Sequence, residues 1–554
     1  MLLHFFFIMV TLGSENPCMK VIYPILFLLL LSFSLFSQFQ GSNIPLVVIE
    51  PNGGFPIPDE PKIKGSMKII DHGPDGWNAP SDPGNIYSGE IGIEIRGAYS
   101  ASLPQKPYGF ETRNPDGSNL NISLLGLPAE NDWILLANYN DKSFLRNSLA
   151  NHLSRRMGHY APRTRHCEVV VNGDYQGIYV LTEKIKRDKN RVDIAKLETT
   201  ENTGDELTGG YIIKTDYYGA EDSWVSNFPP ATRPDKRVHH VYVYPKPDEI
   251  TEDQKDYIQS YMNSFEEALH GPDFKDWATG YKAYIDVNSF RDYFILSELT
   301  RNVDAYKKSR FMFKDKESKG GRLHSGPPWD YDWAMKDIWD CYMFANTDGS
   351  GWAYQVNDCD VWPTPPVYMT RLLQDESFAN KIKRRYVDLR KGPLSNGSIF
   401  FYIDSVSNYL SEAQKRHYEL WDILGENVGA PEVGYIPSTF AGEMSKFKTW
   451  ISTRLAWLDA NMPGDENGPL QVDEYPGAVF RLFPNPASEV VYIESDSPLQ
   501  GVEIYSISGR KVYQNPSPSG YSVAVDIQEL PPGLYLVKVA VQSGEIISQK
   551  LLVN

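Results

Sequence analysis

CEVVVNGDYQGIYVLTEKI, residues 167–185, reads as a β-hairpin. Val169, Val170 and Val171 are strand formers, Asn172-Gly173-Asp174 makes the turn, and GIYVLTE (177–183) returns. Working outward, VVIE (47–50), KIID (68–71), IGIEIRG (91–97) and GGYIIKTDYY (209–218) read as further strands. Within 144–157, Phe144, Leu145, Leu149, Leu153 and Met157 recur on one helical face. Downstream the period is helical, with helices expected over 253–269, 287–300, 367–391, 400–422 and 438–460. In the last, Phe440, Met444, Phe447, Ile451, Leu455 and Leu458 form an apolar stripe of the kind that packs a core. The fold class is α+β, with a strand-rich first half and a helical second half.

The two ends differ from this body. Lys20 precedes an apolar run, PILFLLLLSFSLF (24–36), of signal-peptide length, so 1–37 reads as an export signal cleaved near Ser37 or Gln38, with Met19 an alternative start. The run is short for a transmembrane span, and Cys18 lacks the small apolar residues that precede a lipid-modified cysteine. At the other end, 461–475 (NMPGDENGPLQVDEY) is polar and rich in Gly and Pro, a linker. Strands then follow at 490–494, 501–507, 521–527, 533–541 and 548–554, the pattern of a small β-sandwich over 476–554. A strand segment at 38–90 and a body at 91–460 complete the division.

Composition narrows the function. The chain has 554 residues, net charge −17 and 23% charged residues, which excludes disorder and argues against nucleic acid as partner. Four cysteines exclude a disulfide scaffold and a cysteine zinc array. No G-x-x-x-x-G-K-[ST], G-x-S-x-G, H-E-x-x-H or G-x-G-x-x-G occurs, which sets aside the common NTPases, serine hydrolases, zincins and dinucleotide enzymes.

Three constellations remain. In IEIRGAYSASLPQKPYGFETRN (93–114) a strand ends at Gly97, a small-residue loop follows, and Lys106 leads into the next strand; such a loop can lie over phosphates with a lysine beside them. Residues 142–196 hold twelve Lys/Arg and five acids, a local reversal to +7 suited to phosphates or an acidic protein. NVDAYKKSRFMF (302–313) offers Asn302 and Asp304, and GPPWDYDWAMKD (326–337) offers Asp330 and Asp332. Aspartates at i and i+2 share a side of an extended chain, and together can hold a hard divalent cation. Phosphoryl transfer needs such acids, one more Asp to orient the hydroxyl, and a cation on the phosphates. A calcium-stabilised loop would carry the same pair.

Two resemblances then bear on these residues. GIEIRG (92–97), KPYGFETRN (106–114), LLGLPAENDWILLANYNDKSFLRNSLANHLSRRMG (124–158), RTRHCEVVVNGDYQGIYVLTEKIKRDKNRVDI (163–194), GGYIIKTD, NVDAYKKSRF and PWDYDWA resemble, in order, the CotH-type secreted protein kinases, atypical relatives of the protein-kinase fold. FPNP (483–486), VEIYSISGRKV (502–512), LPPGLYLVKV (530–539) and the final KLLVN resemble the type IX secretion C-terminal sorting domain of Bacteroidetes-type bacteria. The first resemblance implies a kinase-like body transferring the ATP γ-phosphate, with Mg or Mn, to Ser or Thr of a secreted protein acceptor. By that resemblance Asp304 is the catalytic aspartate, and Asp330, Asp332 and Asn302 form the metal group. Lys106 is then the phosphate-facing cation, with Glu183 and Lys184 at a hinge near the nucleotide. The second implies passage through the periplasm and the type IX machinery to the outside or the outer-membrane surface.

Two departures keep another class open, a non-catalytic surface module that binds a glycan or a protein partner. The loop 98–104 has no glycine beyond Gly97, and WAMKDIWDC, after Asp332, lacks the family's small-residue Phe-Gly ending. Export also fits a disulfide between Cys341 and Cys359, with Cys167 buried and free.

Overall fold

The computed structural model describes residues 39–230, 233–469, 480–495, 498–518, 520–542 and 546–554. The export signal, Cys18 and the later part of the linker lie outside these residues. The chain first builds a closed barrel from β1 (Leu46–Pro51), β2 (Ile63–Ile70), β3 (Tyr87–Ile95), β4 (Tyr108–Arg113), β5 (Asp132–Ala137), β6 (Thr164–Val171) and β7 (Asp174–Glu183). Their spatial order is β1-β2-β3-β4-β5-β7-β6, and the barrel closes by a parallel pairing of β1 with β6, Leu46 opposite Glu168 and Ile49 opposite Val171. Alternate residues face inward: Val47 and Ile49, Met67 and Ile69, Ile91 and Ile93, Trp133 and Leu135, Tyr179 and Leu181 share one buried cluster. Each large apolar side chain buried there contributes roughly 1.5–3 kcal/mol.

The hairpin that opened the reading is β6–β7. Its turn needs two successive left-handed residues, and Asn172 (φ 53°) and Gly173 (φ 81°) are among the few that adopt them cheaply. The segment 38–90 is not a separate piece. It supplies β1, β2 and the start of β3, so the division read at residue 91 falls inside a barrel strand.

A second, five-stranded antiparallel sheet follows: β8 (Tyr211–Thr215), β9 (Ser223–Val225), β10 (His239–Tyr244), β11 (Arg310–Lys314) and β12 (Leu323–Ser325), ordered β12-β11-β8-β10-β9. The longer helices are α1 (Arg146–Arg156), α2 (Glu252–His270), α3 (Val287–Thr300), α4 (Glu376–Arg390), α5 (Asn396–Tyr409), α6 (Ala413–Leu420) and α7 (Phe440–Asn461). Ten strands precede α2 and only β11 and β12 follow within the body, so it is strand-rich first and mainly helical afterwards. The helix expected over 367–391 is broken. Asp375 accepts from the Ser377 N–H (2.9 Å) and so caps α4 as a new start. The one expected over 400–422 likewise parts into α5 and α6. The α7 stripe is buried as its spacing requires, Phe447, Ile451, Leu455 and Leu458 joining the main core.

The start of the linker is docked. The Asp465 N–H donates to Asn380 Oδ1 (2.7 Å), and Arg384 donates to the carbonyls of Glu466 (2.7 Å) and Gly468 (2.6 Å), all against α4. The tail forms two sheets, β13-β14-β17 and β16-β15-β18-β19, from β13 (Phe480–Phe483), β14 (Val490–Ser495), β15 (Leu499–Ser506), β16 (Lys511–Asn515), β17 (Ser522–Asp526), β18 (Gly533–Val541) and β19 (Ile546–Val553). Val491, Ile493, Val502, Ile504, Val537 and Val539 share its own apolar cluster. Cys341 and Cys359 form a disulfide, and Cys167 is free inside the barrel, where burial pushes its thiol up to about 12.

Candidate active site

A cleft of about 620 Å³ draws its walls from the barrel and from the five-stranded sheet. That is within the usual range of ligand clefts, about 300–1,000 Å³. Its lining mixes apolar and charged groups. Phe110, Trp133 and Ile134 of the barrel, Ile185, and Val243 and Phe311 of the sheet supply apolar lining, while Asp304, Asp330 and Asp332 supply acid and Arg96, Lys307 and Lys308 supply cations. A second hollow of about 550 Å³, on the outside of the barrel strands, holds none of the candidate catalytic, metal or nucleotide residues.

The acids are set by the end of α3. Arg301 caps that helix in the left-handed region (φ 42°) and turns the chain into the cleft. Asn302 braces the turn: its Oδ1 accepts from the Asp304 N–H (3.2 Å) and its Nδ2 donates to the Asp330 carbonyl (3.1 Å). The Asp304 carbonyl accepts the N–H groups of Lys307 (3.1 Å) and Lys308 (3.0 Å). This turn brings the Lys308 ammonium to 3.3 Å and the Lys307 ammonium to 3.8 Å from the Asp304 carboxylate. Lys307 also reaches Asp340 at 3.2 Å.

The second acidic stretch is not the extended chain its spacing implied. Asp330 is left-handed (φ 67°), a conformation aspartate tolerates better than most residues. Both carboxylates still enter the cleft. Ser309 donates its hydroxyl to Asp330 Oδ2 (3.2 Å), and the Asn140 amide donates to Asp332. Burial raises Asp304 to about 6, with Lys308 opposing and Asp330 adding to the rise. Burial and then Asp330 hold Asp332 well above the usual carboxylate range. Burial works against the Lys308 ammonium, yet Asp304 and Asp330 raise its pKa above the ordinary value. Arg96 lies 5.6 Å over the Trp329 ring; burial lowers its pKa, and Asp330 is the first of the acids that oppose this. One buried acid and two half-buried ones in the same cleft create a demand for positive charge.

The residues singled out in the sequence divide. Asp304, Asp330, Asp332 and Lys184 line the cleft; Lys106, Glu183 and Asn302 do not. Lys106 turns back and donates to the Ala101 carbonyl (2.9 Å), tying down the small-residue loop. Glu183 is fully buried and accepts from the Arg163 N–H (2.9 Å) and Nε (3.0 Å). The Asn302 amide is spent on the turn. Gly97, Ala98, Tyr99 and Ser100 do line the cleft. Gly97 has φ 99° and Ser100 Oγ would stand 2.4 Å from any Cβ added there, so that position requires glycine.

Of the twelve cations in 142–196, only Lys184 lines the cleft. Others serve structure: Lys142 lies 3.3 Å from Glu443, and Lys186 lies 2.8 Å from Glu130. Sequence reasoning missed Arg96, Lys307, Lys308, Ser309 and Asn140. Arg96 had a signal, since it shares a strand face with Glu94 by alternation. Among the described residues no group of three or more His, Cys, Asp or Glu is arranged to hold a metal, and no helix is long and apolar enough to cross a membrane.

A family model described as CotH kinase protein matches residues 93–458, the stretch that carries the whole cleft from Glu94 onward. The chain belongs to the CotH family. A second model, the secretion system C-terminal sorting domain, matches residues 481–554 of this CotH-family protein. It marks the chain for type IX secretion to the cell surface or beyond. A comparison with curated proteins gives no match. Solved structures similar to parts of the chain include a DUF3244 family protein with an immunoglobulin-like β-sandwich fold from Bacteroides vulgatus ATCC 8482. It is 15% identical, covers 13% of this chain and 90% of its own, and has a TM-score of 0.12. CopC from Methylosinus trichosporium OB3b is another, at 20% identity, 13% and 79% coverage, and TM-score 0.11.

Proposed function

We propose that this CotH-family protein is a secreted phosphotransferase with a kinase-like body. It moves the γ-phosphoryl group of ATP to a Ser or Thr hydroxyl of a protein acceptor. The observation that supports this best is the lining of the cleft, which combines apolar walls able to take a base with Asp304, Asp330, Asp332, Arg96, Lys307 and Lys308, the groups that a triphosphate and its cation require. In this reading the Asp304 carboxylate orients the acceptor hydroxyl and takes its proton, a role that needs the ionised form. Arg96, Lys307 and Lys308 neutralise phosphate oxygens, a task the sequence had given to Lys106. Lys184 and Ile185 lie where the base is read. Asp330 and Asp332 offer only carboxylate oxygens, the donors a hard divalent cation such as Mg or Mn takes, and their mutual repulsion favours one. When bound, such an ion neutralises charge on the phosphates. The tail, in the same reading, is a β-sandwich presented to the type IX machinery and removed in transit.

A second reading has support of its own. Trp339, Tyr342 and Trp362 are 67%, 59% and 60% exposed on either side of the cleft residue Asp340 and the Cys341–Cys359 disulfide, a rim able to hold a glycan or peptide without catalysis. One experiment separates the two. The full mature chain is incubated with γ-labelled ATP and Mg or Mn, alone and with periplasmic and surface proteins. Label is expected in the protein or an acceptor, and Asp304→Asn and Asp332→Asn are expected to lose it at least about a hundredfold. Equal labelling by wild type and variants rejects the kinase reading. So does the absence of ATP-induced thermal stabilisation, since a true nucleotide binder gains about 2.7 kcal/mol at a hundred times its Kd.

A further inference from the structure

The five-stranded sheet shows one face to the cleft and the other to the helical core. Lys214 and Phe311, paired across β8 and β11, line the cleft. Their paired neighbours Thr215 and Arg310 face the opposite way, as the period of a strand requires. The register carries this row onward. Val241 pairs with Lys214, which sets His240 beside Thr215, and His240 pairs with Trp224.

Each member of the row has a buried polar atom without a hydrogen-bond partner among the described residues: Nε, Nη1 and Nη2 of Arg310, Oγ1 of Thr215, Nδ1 of His240 and Nε1 of Trp224. Arg310 is the extreme case, with 0% exposure. Its guanidinium lies over the rings of Tyr368 (5.1 Å), Tyr293 (5.7 Å) and Phe290 (5.8 Å). Ring faces offset positive charge, but they do not replace the oxygen acceptors that its N–H groups lack. Glu266, the acid beside His240, is already held by His240, Tyr368 and Ser226. A guanidinium does not shed its proton, and a buried one without an acceptor is strongly disfavoured.

We propose that Arg310 and Thr215 bind a small monovalent anion of the halide class, chloride in ordinary media, directly behind the cleft floor. The donor set decides for an anion over water. The unpartnered atoms of Arg310 are all donors, and Thr215 adds a hydroxyl. A halide accepts from all of these donors and cancels the guanidinium charge, which a neutral water does not. The site also bears on the cleft. Arg310 follows Ser309, whose hydroxyl holds Asp330, so the anion anchors the first residue of β11 beneath the acids. This inference does not depend on the nucleotide reading.

The test uses the full chain. Thermal unfolding is followed while sodium chloride, or bromide, replaces sodium gluconate at constant ionic strength. A saturable rise in Tm with halide is expected. Thr215→Val should raise the halide midpoint about tenfold or more, and Arg310→Met should remove the dependence. Crystals grown in bromide should show an anomalous peak within hydrogen-bond reach of Arg310 and Thr215, a measurement that stands even if Arg310→Met fails to fold. Equal melting of wild type in both salts overturns the proposal. A halide effect that survives in Arg310→Met, or density at Arg310 with no anomalous signal, overturns it as well.

Discussion

Arg96 and Lys106 stand at the two ends of one loop, yet only the arginine lines the cleft. The lysine is taken by the Ala101 carbonyl, and moving it to a phosphate would release the loop it holds. Arg96→Met is therefore expected to raise the ATP concentration for half-maximal thermal stabilisation by about tenfold or more, since a charge-assisted contact to phosphate is lost. Lys106→Met is expected to change it by less than about threefold. Titration by thermal shift checks both, and the reverse order returns the phosphate role to Lys106. At this scale the acids were legible as a group, since Asp304, Asp330 and Asp332, read from two separate stretches, line one cleft. The cations were not. Residues 142–196 read as suited to phosphates or an acidic protein, but Lys142 and Lys186 are spent on Glu443 and Glu130, partners too distant in sequence to be seen. Lys308 was hidden by a turn that only the left-handed cap at Arg301 explains.

Elements were read well where the period was long and poorly where a single side chain decides. The stripe of α7 and the turn of the β6–β7 hairpin were both legible. The break before α4 rests on one cap, Asp375, inside a run with continuous helical period. Barrel closure was not legible either, because β1 and β6 pair across more than a hundred residues and no local pattern announces it. Between elements, Asp292 is the clearest tie. From α3 it accepts from His159 beyond the end of α1 (2.9 Å), from Arg291 (2.7 Å), and from Arg385 of α4 (3.0 Å). Burial alone would raise its pKa, but these three donors bring it down to about 2. A carboxyl whose folded pKa lies below its unfolded value of about 3.9 stabilises the fold above that value and loses the effect as pH falls through the folded pKa. Asp292→Asn is thus expected to cost about 2 kcal/mol at pH 7, with the gap narrowing between about pH 4 and pH 2. Urea unfolding of both proteins across that range checks the sign. A cost that does not change with pH would mean that shape, not charge, holds α3 to its neighbours.

At the scale of the whole molecule, the described residues separate into a body that carries the acidic cleft and a tail with its own core. The acidic net charge of −17 did not describe the cleft, where acids and cations are closely matched. The boundary between the two parts is later than composition implied. Asn380 and Arg384 of α4 hold residues 465–469, so these polar residues belong to the body although they read as linker. Two truncations test this. A chain ending at residue 469 is expected to keep the body's Tm, because every hydrogen bond from α4 survives. A chain ending at 461 loses four of them, each worth about 0.5–1.5 kcal/mol, and is expected to melt several degrees lower. Export should respond differently. Both truncations remove the sorting domain at 481–554, so both are expected to stop in the periplasm with the signal removed, whatever their stability. Fractionation and calorimetry of the two chains together separate the roles. Equal melting would place 462–469 in the linker after all, and surface delivery of either chain would remove the sorting role from the tail.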